Sequence, residues 1–175
     1  MMKKIAVLSN NFSSSCADEV VFSIVRNAVS CGIKVFGIDS EIKRLEKVNI
    51  RRLDSFLMNG KVYYPGANLN PHLLPCEIKK SQITLIQQSL KNQSIQGLIV
   101  LGNRKSIQLA SSLSKCGIKT VSISCGISCD IPGIDLPLGL DSSLNTIIRI
   151  VDNIRCSNSP NNHWFMIDVG DCRSS

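Results

Sequence analysis

The chain has 175 residues, 43% of them hydrophobic, which is enough to bury the core of one folded domain. Its net charge of +7 would suit an anionic ligand, but the basic residues are scattered and only 5% of the residues are aromatic, so no nucleic-acid platform is predicted. No apolar run is long enough to span a membrane, and Met1 leads into a short strand instead of a signal peptide, so we expect a cytoplasmic protein with no membrane partner.

The first predicted unit is a strand, a helix and a second strand. Residues 4–8 form an apolar run typical of a buried parallel strand, and a polar loop, residues 9–16, follows it. Asp18 is a candidate cap for a helix that ends at Gly32, and residues 33–38 form the next strand. This order predicts a right-handed βαβ unit that opens an α/β fold: a doubly wound, Rossmann-like, mostly parallel sheet with helices on both faces.

The rest of the chain continues the alternation of strands and helices. Residues 39–60 give no clear prediction, and the charged run at 42–47 is typical of a solvated helix or loop face. Helices are predicted at 81–90 and 106–113, and a third one carries Leu144, Ile147, Ile148 and Val151. Strands are predicted at 95–102, 120–123 and 163–169.

The loop after the strand at 120–123 is the segment most typical of a functional site. It is punctuated by glycine and proline and carries Asp130 and Asp135. The carboxyl ends of parallel strands form the crevice where ligands bind, and helix amino-termini offer N–H groups to anions. We therefore expect any chemistry of this protein to be located here.

Eight cysteines raise the question of a metal centre. No two of them have the Cys-x-x-Cys spacing of a zinc site, and the closest pair is Cys125 and Cys129, without a second ligand pair nearby. We expect reduced, mostly structural thiols and no metal.

The segment from Ile131 to Arg155 carries the motifs of a known family. It reads Ile-Pro-Gly-x-Asp, then Gly-x-Asp-x-x-Leu-Asn-Thr from Gly139 and Ile-x-Asp-x-Ile-Arg from Ile150. This segment resembles the substrate loop and following helix of the ATP-dependent 6-phosphofructokinases, and the resemblance covers about residues 3–172. It implies the amino-terminal domain of that family. Since family members continue into a second domain, we expect residues 1–175 to be a single phosphofructokinase-like domain, truncated before it.

The resemblance places the catalytic base of the family at a substituted position. The family loop reads Pro-Gly-Thr-Ile-Asp-Asn-Asp-Ile-Pro-Gly, and its first Asp is the general base on the sugar hydroxyl. Here Ser128 stands at the position of the base and Gly126 at that of the Thr, while Asp130 keeps the second Asp. The catalytic positions implied by the resemblance are therefore Ser128 and Asp130, and Gly126 is a substrate position.

The nucleotide positions implied by the resemblance are also changed. The family has Gly-Gly-Asp-Gly-Ser, in which the Asp binds the magnesium of MgATP, where this chain has Gly-Asn-Arg-Lys-Ser; a cation at Arg104 cannot ligate Mg²⁺. A glycine-free first loop contains Asn11, and Asn68 replaces an arginine that contacts the transferring phosphate. An alternative is that Arg104 and Lys105 neutralise a phosphate directly. The implied positions are Asn11, Asn68, Gly102, Arg104, Lys105 and Ser106, and ATP and magnesium are implied by the resemblance only.

Sugar-phosphate and effector positions follow from the same resemblance. His163 replaces an arginine that reaches the sugar phosphate of a neighbouring subunit, and Gly170, Asp171 and Cys172 replace a sugar-binding Met-Gly-Arg. Arg26 and Arg155 match arginines of the effector site between subunits. Their alternative interpretation is that of ordinary arginines on a helix surface.

These substitutions predict a degenerate phosphofructokinase-like protein, a pseudoenzyme that does not perform the family reaction, the ATP-dependent phosphorylation of fructose 6-phosphate in glycolysis. One alternative is an active subunit that works with a full-length partner. Another is a non-catalytic module that binds nucleotides or other anions. We expect exposed apolar surface and therefore self-association or binding to a full-length homologue.

Overall fold

The structure, a computed structural model, describes residues 2–9, 15–39, 49–53, 80–126, 131–157 and 164–167. In chain order the elements of these residues are β1 (Lys4–Ser9), α1 (Ser15–Ser30), β2 (Lys34–Asp39), β3 (Asn49–Leu53), α2 (Lys80–Asn92), β4 (Gly97–Gly102), α3 (Arg104–Lys115), β5 (Thr120–Ser124) and α4 (Leu140–Ser157). The strands form one sheet in the order β3-β2-β1-β4-β5. All neighbouring strands are parallel except β2 and β3. The predicted α/β fold with a mostly parallel sheet is confirmed.

The centre of the sheet explains the continuous apolar run of β1. Successive side chains of a strand point to opposite faces, and β1 lies between β2 and β4 with both faces covered. Ala6 and Leu8 belong to a core cluster with α2 and α3, whereas Ile5 and Val7 belong to a second cluster with α1. Helices therefore cover both faces of the sheet, as predicted.

Strand β3 was not predicted from the sequence. It is a five-residue edge strand with two adjacent arginines, Arg51 and Arg52, so it lacks the apolar pattern of a buried strand. Its antiparallel pairing with β2 and the burial of Leu53 hold it in place. Gly37 of β2 makes room for that leucine, since a Cβ atom on Gly37 would lie only 3.3 Å from the Leu53 side chain. The charged run at 42–47 lies outside the described residues.

Two predictions of local structure are wrong. Helix α1 begins at Ser15, so Asp18 lies inside the helix and is not its N-cap. The predicted strand at 163–169 is not formed over its described part, residues 164–167, where Trp164 is fully exposed. An apolar run becomes a strand only when a neighbouring strand satisfies its N–H and C=O groups, and no described strand pairs with these residues.

The helices differ in length and burial, but none of those described is both long and apolar enough to cross a bilayer. Within the described part of the chain a single sheet organises both core clusters. The extension of one domain over residues 1–175 stays a prediction.

Candidate functional site

The candidate site lies where β4 and β5 end at the same edge of the sheet. The two strands are parallel, and Gly102 at the end of β4 is in register with Ser124 at the end of β5. The backbone N–H of Cys125 donates to the carbonyl of Gly102 at 3.0 Å, which extends the pairing beyond the strands. Helix α3 starts directly after β4, so its amino-terminus faces this edge. This is the crevice where ligands bind in parallel α/β sheets.

Asn103 caps α3 with its own side chain. It has an extended backbone, with φ of −86° and ψ of −171°, and its Oδ1 accepts hydrogen bonds from the backbone N–H groups of Lys105 and Ser106 at 3.2 and 3.5 Å. These N–H groups have no partner inside a helix and are the ones that an anion would use at an uncapped amino-terminus. The side chain of Asn103 therefore occupies the place of a bound anion at these two groups.

The first turn of α3 carries positive charge and no carboxylate. Arg104 and Lys105 are exposed, and the turn contains no acidic residue. The two cations add to the positive end of the helix dipole, which attracts anions and repels metal cations. Mg²⁺ is usually held through carboxylate oxygens, and this turn offers two cationic groups and no carboxylate, so its charge does not fit a Mg²⁺ ion. Nor do the described residues contain a group of three or more His, Cys, Asp or Glu that could hold another metal.

Two buried serines lie at this edge of the sheet, Ser106 in the first turn of α3 and Ser124 at the end of β5. Ser106 is 1% exposed and Ser124 is 6% exposed, and the Oγ atoms of both lack a hydrogen-bond partner among the described residues. A buried hydroxyl without a partner costs free energy, so each of these groups would gain from a polar ligand. Sequence reasoning identified Ser106 but missed Ser124, because a serine at the end of a strand carries no signal of its own.

The segment after β5 returns to the end of that strand. The N–H of Leu138 donates to the carbonyl of Ser124 and the N–H of Gly126 donates to the carbonyl of Leu138, both at 2.9 Å. Gly126 has φ of 123°, a left-handed conformation that side chains with a branched Cβ rarely adopt. The backbone at this position is therefore suited to glycine and not to the threonine implied by the resemblance.

The structure brings together five of the predicted site residues, namely Gly102, Arg104, Lys105, Ser106 and Gly126. The other predicted catalytic, nucleotide and substrate positions lie outside the described residues: Asn11, Asn68, Ser128, Asp130, His163, Gly170, Asp171 and Cys172. The capping role of Asn103 was not predicted, although an asparagine directly before a helix is a recognisable capping signal.

The two predicted effector arginines lie on different helices. Arg26 is exposed on α1, and Arg155 is exposed near the end of α4, where its Nη1 is 4.0 Å from Oδ1 of Asp152. A shared effector site stays a prediction.

Comparisons with known proteins agree on one family. The family model described as phosphofructokinase matches residues 4–171. Among curated proteins, the ATP-dependent 6-phosphofructokinase of Macrococcus caseolyticus is 33% identical over 172 residues, and that of Enterococcus faecalis is 32% identical over 169 residues. Each match covers 96% of this chain and 53% or 52% of the relative, so the chain spans about half the length of the curated relatives it matches.

Solved structures show the same fold. The phosphofructokinase of Saccharomyces cerevisiae matches 89% of this chain and 24% of its own with a TM-score of 0.70 and 21% identity. The Pichia pastoris phosphofructokinase in the T-state matches 91% of this chain and 20% of its own with a TM-score of 0.73 and 21% identity. At this level of identity these two structures establish the fold alone.

Proposed function

The chain belongs to the phosphofructokinase family, and from this premise we propose that it is a member that does not transfer a phosphoryl group. The observation that carries the proposal is the first turn of α3. There Asn103 caps the helix with its own side chain, and the cation Arg104 stands at the position that the resemblance gives to the magnesium-binding carboxylate. The family reaction is the phosphorylation of fructose 6-phosphate by ATP.

The charge at this turn is unfavourable for the reaction. Phosphoryl transfer depends almost entirely on positioning and electrostatic stabilisation, and the metal ion bridges the phosphate oxygens as charge develops. A guanidinium can neutralise a phosphate, but it cannot supply the bridging geometry of a metal ion. Arg104 can therefore bind an anion but does not replace the metal ion in in-line transfer of a phosphoryl group.

Two substitutions in the sequence support the same proposal. Ser128 stands at the position of the family's general base, and a serine hydroxyl is not itself a proton acceptor near neutral pH. Asn68 stands at the position of the phosphate-binding arginine, and a neutral amide provides no cationic clamp. Because members of one catalytic unit act together, these replacements remove largely the same rate enhancement.

A coupled assay for fructose 1,6-bisphosphate tests the proposal. The purified chain, given ATP, Mg²⁺ and fructose 6-phosphate, is expected to form no product above the rate without protein. A full-length ATP-dependent 6-phosphofructokinase under the same conditions serves as the positive control. Product that scales with the concentration of this chain, and that persists through further purification, would overturn the proposal.

A second candidate function is metal-independent anion binding. The buried hydroxyls of Ser106 and Ser124 and the exposed cations Arg104 and Lys105 favour it. Pyrophosphate or ATP is then expected to raise the melting temperature at least as much in EDTA as in Mg²⁺, since the cations replace the metal and Mg²⁺ competes for the same phosphate oxygens. Arg104→Glu should abolish the shift, whereas Lys91→Glu, at the exposed end of α2, should leave it unchanged. No shift with any of these anions would exclude this candidate.

We separately propose a cytoplasmic location. Another proposal is that the chain is active in combination with a full-length homologue. The curated relatives are about twice as long as the part of them that this chain covers. Co-expression of the tagged chain with a full-length 6-phosphofructokinase distinguishes the cases. Co-purification in fixed proportion with changed specific activity would favour a shared enzyme, and separate elution would exclude it.

A further inference from the structure

Asn103 is a side chain that this chain adds to the turn between β4 and α3. The family motif Gly-Gly-Asp-Gly-Ser has its second glycine at this position. A glycine has no side chain, so it leaves the first N–H groups of the helix open to a ligand. The asparagine instead brings an amide oxygen to them, and its Oδ1 accepts from the N–H groups of Lys105 and Ser106. A group of the chain itself therefore holds two donors that a bound anion would use.

The two hydrogen bonds of this cap are long. The distance from Oδ1 of Asn103 is 3.2 Å to the backbone nitrogen of Lys105 and 3.5 Å to that of Ser106, whereas most N–H···O bonds in proteins are ~2.9–3.0 Å long. The amide oxygen is also neutral, and hydrogen bonds to an ionised acceptor are about twice as strong. An anion that reaches these N–H groups therefore forms stronger bonds with them than Asn103 does.

The cap leaves a buried hydroxyl beside these N–H groups without a partner. Ser106 is 1% exposed, and its Oγ makes no hydrogen bond with any described residue. The Cα–Cβ bond of a helical residue tilts towards the amino-terminus, so this hydroxyl lies towards the capped end of α3. It is joined to the backbone nitrogen of the same residue through Cα and Cβ alone. A ligand on the N–H of Ser106 is therefore within reach of the hydroxyl as well.

A second unpartnered hydroxyl lies on the same side of the sheet. The Oγ1 of Thr120 donates to the carbonyl of Ala110 on α3, and the alternation of side chains along β5 turns Ser124 to the same side as Thr120. Gly102, which is in register with Ser124 on β4, adds no side chain there. Ser124 is 6% exposed, and its Oγ also lacks a partner in the part of the chain that the structure describes. The capped state thus carries the cost of two buried, unpaired hydroxyls at this edge.

We propose that the side chain of Asn103 is an internal competitor of the anion site: it closes the amino-terminus of α3, and a phosphate group opens it by replacing Oδ1. In the open state the phosphate oxygens accept from the N–H groups of Lys105 and Ser106 and from the hydroxyl of Ser106. The asparagine oxygen satisfies only the first two of these donors, whereas a phosphate group has acceptors for all three. This competition rests on the metal-independent anion binding proposed above and sets its strength.

The competition lowers the apparent affinity of the site without abolishing it. A ligand that binds only the open state has its affinity reduced in proportion to the fraction of molecules that are open. An asparagine cap of ordinary strength leaves the site open in roughly one molecule in six. Removal of the side chain should therefore tighten the binding of a phosphate group about 6-fold.

Asn103→Gly is the first test, measured by isothermal titration calorimetry of the full chain with pyrophosphate in EDTA. Glycine is tolerated at the cap of a helix, so α3 should stay folded, which circular dichroism checks. The variant should bind pyrophosphate about 6-fold more tightly than the original chain. Asn92→Gly, at the exposed end of α2, is the matched control and should leave the affinity unchanged.

The titration distinguishes failure of the competition from failure of anion binding. A gain in affinity on Asn103→Gly supports the competition, even where the original chain binds too weakly to be measured. Measurable binding by the original chain that Asn103→Gly leaves unchanged overturns the competition but not anion binding. Binding by neither chain overturns both, and it leaves the proposed loss of phosphoryl transfer unaffected.

Ser106→Ala tests the third donor separately. Alanine removes only the unpartnered Oγ, so the free energy of unfolding should stay the same or rise, while the affinity for pyrophosphate should fall at least ~5-fold. A serine with a purely structural role would not combine these two effects. Ser111→Ala, at an exposed position of α3, is the control and should leave the affinity unchanged. An unchanged affinity in Ser106→Ala overturns the proposed open state.

Nuclear magnetic resonance of the original chain reports the displacement even if a substitution at Asn103 disturbs the helix. Pyrophosphate should shift the backbone N–H resonances of Lys105 and Ser106 together with the side-chain amide resonances of Asn103, while those of Asn92 should stay in place. Inorganic phosphate and ATP, added separately, should give the same pattern, because each offers a phosphate group. Backbone shifts with an unchanged Asn103 side chain, or a pattern seen with ATP alone, would overturn the proposal.

Discussion

Helices α3 and α4 have similar amphipathic sequences but differ in burial. Helix α3 buries its apolar side chains against the sheet, whereas several apolar side chains of α4 are exposed. Side chains hold α3 in place, since the Oγ1 of Thr120 donates to the carbonyl of Ala110 at 3.1 Å and the Nε2 of Gln87 donates to the carbonyl of Cys116 at 2.9 Å. Asn145 and Thr146 of α4 instead bond residues of their own helix. An amphipathic pattern therefore predicts which side of a helix is apolar, but not whether that side is buried.

Of the substitutions considered, Leu113→Ala on α3 should lower the stability of the chain most. Leu113 is fully buried between the helix and the sheet, so its truncation should lower the free energy of unfolding by about 3 kcal/mol. Ile148→Ala on α4 is the matched control and should cost less than ~0.5 kcal/mol, because that side chain is 58% exposed. Urea unfolding at low protein concentration measures both. Equal losses would show that α4 packs as α3 does.

Gly126→Thr tests the connection between the edge strand β5 and α4. The left-handed φ of 123° should make threonine destabilising by about 2 kcal/mol, although nothing lies within 4 Å of a Cβ atom placed there. The loss therefore comes from the backbone and not from a clash. Ser122→Thr, at an exposed position of β5, should change stability by less than ~0.5 kcal/mol. An unchanged urea midpoint for Gly126→Thr would contradict the assigned backbone.

Asn103→Ala tests the capped end of α3. Loss of the side-chain acceptor for Lys105 and Ser106 should cost about 1 kcal/mol, whereas Asn103→Asp, which keeps an oxygen at the cap, should retain the stability. Thermal unfolding of the three chains gives the comparison. The anion-binding candidate adds an opposite expectation for Asn103→Asp, because a carboxylate at the cap should reduce any stabilisation by pyrophosphate.

Arg155→Ala on α4 should have the smallest effect. Both side chains of the 4.0 Å contact between Arg155 and Asp152 are exposed, so its loss should change the free energy of unfolding by less than ~0.5 kcal/mol. Repeating the measurement at high ionic strength should remove what difference there is. A loss of 1 kcal/mol or more, beyond the ~1 kcal/mol upper limit of exposed pairs, would indicate that Arg155 makes a contact within the chain.

Only part of the candidate site could be predicted from the sequence. The turn that begins with Gly102 and contains Arg104, Lys105 and Ser106 was identified from its motif, and the structure places it at the predicted edge of the sheet. The unpartnered hydroxyl of Ser124 was not identified, because its burial depends on neighbours that are distant in sequence. Ser128 and Asp130 remain predictions outside the described residues.

Features that depend on residues close together in the chain could be predicted from the sequence. Apolar runs predicted β1 and β4, helical periodicity predicted α1 to α4, and the motif predicted the family. Three features could not be predicted in this way: β3 pairs with β2, residues 164–167 do not form a strand, and among the described residues α3 buries its apolar side chains while Leu144, Ile148 and Ile150 of α4 are exposed. Pairing and burial are free energies between distant segments, so a local pattern predicts the surface but not what covers it.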